Sequence, residues 1–584
     1  MRTLPGTATP TLQDNPSADE VPFPGSSSNG APLTTGHSHK SPTAAFITSS
    51  YYRFVDVGAI YELSPHDVTF LEQRGCFHLP ARPSLDEFLR QYFVYSHPIL
   101  PLFNESKFWR MYSSQHRRAP PQNRISLFVL QTMLFVSCPF VSTSILSSLG
   151  FQSIQAARRD FYMRAKALFD LNMHKDDVAN AQGALLLSYH SPTTTDKVNT
   201  YWLEAAIHFA RNAHADHYHT VDLPPQDKHV LKRLWWCCIL RDRIMSLSFR
   251  RPLNIRPDDF EFGQPGLRES DFINEIRGPS VYNAPGKKLL THMITALCEL
   301  AAILNGVLTL LYPGNQYNPA SGGSSLDAHS FLEKLDLWHH NSKSSLTMPE
   351  RTLSKNNSLL LFSKMISIYY HTAKASMCHY ILLLSIPKLK NPTDVKESCL
   401  QSQSMLNSSL QGITRDLKEL AHRGLIGYLP NTFVPFLAFP FTWNILQVKV
   451  LKTENQSGGD QRDLVSYISA MRTFQSLYEI TDSTLGCIEN IVTHIKNEEC
   501  STLLHQNPFI HHPLSASLGM LEPKKGSGNV WVDLLLENPH IYLRIALTVD
   551  FSLAHGQFPT ENDMPKAFHR LDSDDGNLTL EDRI

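Results

Sequence analysis

Apolar residues recur at spacings of three and four along most of the chain, and the sharpest such run lies near its middle. In Leu231–Phe260, LKRLWWCCILRDRIMSLSFRRPLNIRPDDF, Trp235 and Trp236 are followed by Ile239, Leu240, Ile244 and Leu247, a spacing that lays one broad apolar stripe along a helix. Arg233, Arg241, Asp242 and Arg243 fall on or beside that stripe, so each must be paired or reach solvent at the helix edge. The helix is predicted to stop near Arg250–Arg251, because Pro252 cannot continue it and Pro257 fixes an extended exit before Asp258–Asp259.

The same periodicity predicts helices on both sides. Ser84 is placed as the cap of a helix through Phe88, Leu89, Tyr92 and Phe93 that ends before the His97–Pro98 turn. Ile125–Ala157 contains no charged residue, but Gln131, Thr132, Ser137, Pro139 and Ser142–Ser148 interrupt it, so a buried helix ending before Pro139 and a second short helix are expected rather than a membrane span. Phe151–Asp170 is an amphipathic helix, Asp176–Asp177 opens another through Leu187, and Thr200 starts a third through Ala210. Their short polar connections predict antiparallel helical packing. Lys287–Leu311 reads as a long apolar helix closed by Pro313–Gly314, and Leu359–Leu384 and Asn431–Leu451 as core helices. Glu261–Ala284 reads as a Gly/Pro-bearing connection, and Asn315–Ser325, Asn341–Asn357 and Asn455–Asp463 as polar surface loops. Tyr51–Leu79 fits strand or loop.

The fold class expected is therefore all-α, a large multi-helix array. Residues 1–50 are rich in Pro, Ser, Thr and Gly, with too little apolar surface to offset the entropy of ordering, and are expected to form a disordered tail. Residues 566–584 form a charged C-terminal tail, expected to fray.

Composition narrows the function. The 584 residues are 42% hydrophobic, ample for a core, and carry 53 Lys+Arg against 54 Asp+Glu. A net charge of −1 gives no global field toward DNA or an anionic membrane, so any nucleic-acid contact must come from a local patch or a partner. The nine cysteines are scattered and none forms a CxxC; a binuclear zinc cluster needs six closely spaced thiolates, which they do not supply. Cys237 and Cys238 read as small apolar fillers, and an odd, dispersed count suits a reducing compartment. The N-terminus lacks the charged start and apolar core of a signal peptide.

Candidate chemistry is sparse. There is no GxSxG, HExxH, Walker A or GxGxxG pattern. Gly526–Gly528 beside Lys524–Lys525 reads as a surface loop rather than a phosphate site. His214, His217 and His219 lie within six residues, but only the first two share a helix face, so a solvated helix end is preferred to a metal site. His97, before Pro98, packs at a turn rather than serving as ligand or base. Asp242 between Arg241 and Arg243 is either a carboxylate held by cations for chemistry or part of structural ion pairs at an interhelical seam; such networks are commoner than active sites. No catalytic, cofactor-binding or metal residue is nominated.

Several of these residues carry a family resemblance. A basic residue, Arg233, before Trp235–Trp236, the Asp242–Arg243 pair, and the turn Arg250-Arg251-Pro252 leading to an acidic loop together resemble the middle homology region of fungal-specific transcription factors. In that family the turn often reads Gly-Arg-Pro, and the region usually lies downstream of a six-cysteine binuclear zinc cluster. Phe88–Tyr112, with its aromatic helix and His-Pro step, resembles the opening of the same domain. The order CPF, GF, ARRDFY, RAKALFD, ALLLSY, YWLEAAIHFARNA resembles the branch of cutinase-gene activators, as do Gly427–Asn431 and Tyr542–Pro559, where Gln557 stands at a position that is commonly Arg. The resemblance covers about residues 80–565, taken as the regulatory domain.

The resemblance implies a structural signature of His97, Pro98, Arg233, Trp235, Trp236, Asp242, Arg243, Arg251 and Pro252. It implies a nuclear, non-enzymatic regulator of promoter output for RNA polymerase II genes, a specialised-metabolite gene cluster among the candidates. The expected partners are the transcription machinery or a DNA-binding protein, with no membrane. Promoter DNA would be contacted directly, and zinc held, only if an N-terminal module is missing from this chain; a homodimer and a small-molecule effector stay open. The alternative is a helical enzyme or small-molecule carrier sharing the fold.

Overall fold

The computed structural model describes residues 45–114, 124–193, 197–314, 325–346, 357–385, 392–449, 458–497, 530–537 and 539–564. Residues 1–44, Asn315–Ser324, Gly526–Gly528 and the C-terminal tail lie outside the described residues. What is described is overwhelmingly helical, as the apolar periodicity requires.

Residues 45–80 resolve the stretch that the pattern left as strand or loop. Strand β1 (Phe46–Thr48) pairs antiparallel with β3 (His78–Pro80), and β2 (Val55–Asp56) pairs parallel with β4 (Ile125–Ser126). Between them lies α1 (Pro65–Gln73), whose first turn is capped by Ser64 accepting from the Asp67 amide at 3.2 Å. Ser49 is buried, and Phe46 and Ile47 pack against the same core as the later helices, so the fold begins inside the stretch 1–50 assigned to a tail.

Helix α2 (Arg82–Gln91) corrects the expected cap. Pro83 lies inside the first turn, because its fixed φ suits that position, and the N-cap residue is Ala81, not Ser84. The helix also runs past Gln91 as a π-turn, Tyr92–Ser96, which carries the chain to His97. Next come α3 (Glu105–Ser113), capped by Asn104, and α4 (Leu127–Ser137), buried along its whole length, which accounts for the uncharged run. Helix α5 (Thr143–Ser148) is the expected short second helix. The three helices that follow are α6 (Ile154–Asp170), α7 (Asp177–Leu187) capped by Asp176, and α8 (Val198–Asn212).

Helix α9 (Pro225–Phe249) is the axis of the molecule. It packs against α7 and α8, and against three later helices: α11 (Ala284–Leu311, after the single-turn α10, Ile273–Ile276), α13 (Asn357–Ser385) and α15 (Phe433–Lys449). From Arg233 to Phe249 every residue is buried. The expected single stripe is thus too narrow a reading: a helix enclosed on all sides has no solvent edge, and its arginines must find partners inside.

The remaining helices are α12 (Ser325–Leu346), α14 (Pro392–His422), α16 (Gly458–Leu477), α17 (Ile480–Asn497), α18 (Val530–Glu537) and α19 (Pro539–His555). Two stretches expected as loops are partly helical: residues 341–346 close α12 and residues 458–463 open α16. Short polar side chains on a solvated helix end look like a loop in the pattern. Among the described residues one helix, Ala284–Leu311, is long and apolar enough to cross a membrane; here it packs on α9, α12 and α13.

Candidate functional site

Five ionisable residues from five segments meet beside the first half of α9. The π-turn and the Pro98 turn place His97, the start of α3 places Glu105, α9 supplies Arg233, α10 supplies Glu275 and the first turn of α11 supplies Lys287; all five are buried. Lys287 Nζ lies 2.6 Å from Glu105 Oε2 and 3.0 Å from Glu275 Oε2, and Arg233 pairs with Glu275. His97 and Arg233 share one acceptor: His97 Nε2 donates to the Phe103 carbonyl at 2.8 Å and an Arg233 N–H donates to the same oxygen at 2.9 Å. Glu105 accepts further bonds from Trp109 Nε1, Ser280 Oγ and the Val281 amide.

Electrostatically the cluster closes on itself. Two carboxylates face two cations in a low-dielectric setting, where each charge persists only because its partner does. Burial alone would raise Glu275, but Arg233 and Lys287 hold it down to about 2. Burial would lower Lys287, but Glu105 and Glu275 hold it above the ordinary lysine value. Burial and the Lys287 ammonium push His97 down to about 4, so its imidazole is neutral.

Ligand atoms of His97, Glu105 and Glu275 come within 4.8 Å of one another, the trio among the described residues with that property. The lysine ammonium, bonded to both carboxylates, takes the place a cation would need, so the arrangement is an ionic lock rather than a metal centre. His214, His217 and His219 do not converge in this way: His214 sits at the end of α8 with φ 57° and His217 lies 3.0 Å from Asp216.

A second constellation fixes the far end of α9. Asp242 and Arg243 are adjacent and both buried, and they form an ion pair at 2.5 Å. Asp242 accepts from the Asn254 amide at 3.0 Å and the Ile255 amide at 3.1 Å, while Arg243 donates to the Ile255 carbonyl at 2.9 Å and to Asn305 of α11 at 2.7 Å. Both side chains are consumed in pinning the exit loop to the helix it leaves. Arg241 donates to Ser188 Oγ and its carbonyl at 2.8 and 2.9 Å and stacks on Tyr189.

The rest of the signature has simpler surroundings. Trp235 and Trp236 are buried around Phe260. Arg251 donates to Asn199 and Thr200 of α8, Pro98 is half-buried in its turn, and Pro252 is exposed. Burial pushes the Cys237 and Cys238 thiols up, so neither is a thiolate. Glu105, Glu275 and Ser188 escaped the sequence reading. Their signal was faint, a single acid in ESKFW and another in INEI, and nothing local joins them.

Sequence comparisons show what the region holding this site is similar to. Residues 89–340, which contain the whole lock and the Asp242–Arg243 clamp, match the fungal specific transcription factor domain. Among curated relatives the chain is 23% identical to cutinase transcription factor 1 beta of Fusarium vanettenii over 72% of this chain and 50% of that protein. It is 31% identical to cutinase transcription factor 1 alpha of the same organism over 48% of this chain and 29% of that one. A fusaric acid cluster transcription factor of Gibberella fujikuroi is 23% identical over 50% of this chain and 40% of its own length. The chain thus spans half or less of these relatives. No solved structure matches it.

Proposed function

We propose that this chain regulates transcription of RNA polymerase II genes in the nucleus, acting through protein contacts of its helical domain rather than through catalysis, with a specialised-metabolite gene cluster among its targets. The observation that carries the reading is the domain match over residues 89–340, which holds the helix whose buried charged residues Arg233, Arg241, Asp242 and Arg243 all make contacts inside the protein. Likeness to a fusaric acid cluster regulator supports the cluster. With a net charge of −1, DNA contact falls to a DNA-binding partner or to a module outside this sequence, and zinc enters only with such a module.

Chromatin occupancy of the tagged protein, paired with transcript profiling after deletion of its gene, tests the reading. Occupied promoters whose transcripts shift are expected. Unchanged transcripts, with turnover of a metabolite by the purified chain, would overturn it.

A further inference from the structure

An open groove of about 430 Å3 runs along the second half of α14, where α16 begins. That volume lies in the range of clefts that take ligands. Gln411, Arg415, Lys418 and His422 line it at spacings of three and four, so a single helix face walls it for about three turns. Asp463, near the start of α16, stands on its other side.

The acids of this groove are engaged from within. Lys364 of α13 lies 2.6 Å from Glu419 Oε2 and 3.0 Å from Asp416 Oδ1, Ser367 donates to the other Asp416 oxygen at 2.5 Å, and Lys418 pairs with Asp463. The guanidiniums are placed differently. Arg415 is 69% exposed and comes no nearer than 3.6 Å to Asp416, and Arg423 lines the groove from an exposed position just past the helix. Four cations thus stand against three acids, and the two arginines are exposed whereas none of the acids is. The groove therefore shows solvent a positive rim, with the aliphatic stems of Arg415 and Lys418 as apolar surface between the charges.

A segment of matching character lies on the same chain. Residues 571–582, LDSDDGNLTLED, carry five acids and no cation, with Leu571, Leu578 and Leu580 among them. The chain leaves toward it from beside α14. The described residues close with Glu561–Asp563 and Met564, a turn tied to α19 by the ion pair of Arg544 and Glu561, and α19 touches α14 where Tyr542 donates to Gln403 Oε1 at 2.7 Å. Gln403 precedes Gln411 by about 12 Å of helix, and residues 565–571 can span roughly 23 Å. Ion pairs at a solvated surface are individually weak, but a tether of this length sets an effective concentration on the order of millimolar, which fills a weak site. We propose that residues 571–582 dock in this groove, with their carboxylates on Arg415 and Arg423 and their leucines on the stems between. The contact goes beyond the function proposed above and does not depend on it.

Photo-crosslinking of the full chain, with benzoylphenylalanine replacing Leu578 and the adducts mapped by mass spectrometry, tests it. Adducts within one chain to residues 411–423 are expected, and their yield should fall about fivefold or more when salt is raised to about 1 M, where the screening length is only about 3 Å. Arg415→Glu, a change at an exposed side chain, should lower the yield by a similar factor, and Asp574→Arg added to it should restore the yield by restoring the opposite charges. Circular dichroism of each variant checks that α14 is intact. Adducts to other surfaces, or a yield indifferent to salt and to Arg415→Glu, overturn the proposal. Adducts formed only between chains would give the groove to a second copy and overturn it as well.

Discussion

Arg250, the residue that ends α9, donates from Nε to Asp550 Oδ1 of α19 at 2.9 Å, joining the central helix to one 300 positions later. It does so from the left-handed region, at φ 52°, at the position where the resembling family often has glycine. Two opposed effects therefore meet in one residue. The backbone conformation costs about 1–2 kcal/mol for a residue with a Cβ, and the side chain offsets that by neutralising Asp550. Burial would raise that carboxyl, but Arg250 and His379 hold it below the ordinary aspartate value.

Substitutions at Arg250 separate the two effects. Arg250→Ala keeps the backbone cost and leaves Asp550 unmatched, and is expected to destabilise the protein by about 3 kcal/mol. Arg250→Gly loses the same pair but relieves the backbone, and should cost about 1 kcal/mol less. Urea unfolding followed by circular dichroism reads the difference. Equal losses would show that the left-handed turn carries no strain.

The ionic lock predicts a rescue. Lys287→Met leaves Glu105 and Glu275 buried against Arg233 alone, at a cost of roughly 3–5 kcal/mol. Adding Glu105→Gln removes the surplus negative charge while keeping acceptors for Trp109 and the Val281 amide, and should recover about half of the loss. A double-mutant cycle checks it. Additive losses would mean that Lys287 and Glu105 do not compensate each other.

Part of this organisation was legible in the sequence, and the reason is local. Asp176 capping α7, the Pro252 stop after α9 and the apolar spacing of α4, α6 and α11 are statements about neighbours a few residues apart, which periodicity reports. The lock was not legible. His97 and Arg233 stood out through motif resemblance, but Glu105 and Glu275 are ordinary acids 170 residues apart, and only the packing of α3, α10 and α11 on α9 brings them to Lys287. The fate of the α9 arginines was half legible: the need for partners followed from the apolar stripe, whereas the partners Ser188, Asn305 and Asp550 come from three distant helices or their ends.

Acid should destabilise the protein before any carboxylate titrates. Native His97 and His371 stay neutral down to about pH 4 and His190 to about pH 3, chiefly because burial disfavours their charged forms. In the unfolded chain each takes up a proton near pH 6.5. Below that value the unfolded state binds more protons, so stability is full above it and falls by about 1.4 kcal/mol per pH unit for each histidine down to its native pKa. Glu275 adds its own loss below about 4.5, as the pH falls toward its native value of about 2. His97→Gln, whose amide can still donate to the Phe103 carbonyl, should remove one proton's worth of slope between pH 6.5 and 4. Stability measured by urea unfolding across that range decides it, and an unchanged slope would mean that His97 is charged in the native state.

Gly183 sets the closeness of α7 to α4. A Cβ built on it would stand 2.1 Å from Phe128 Cε1 and 2.5 Å from Cζ, with the ring held in the fully buried interior of α4. In an isolated helix, Gly→Ala stabilises by about 1 kcal/mol. Here the overpacking opposes it, at roughly 1–3 kcal/mol when a dense core must shift, and the ring has little room because its neighbours Val129 and Leu130 are also buried. Gly183→Ala is therefore expected to lower the thermal midpoint instead of raising it. Phe128→Leu removes the obstructing ring edge, so in that background Gly183→Ala should become neutral or stabilising. A stabilising effect in the parent chain would show that Phe128 can swing aside and that the α4–α7 contact is looser than its geometry states.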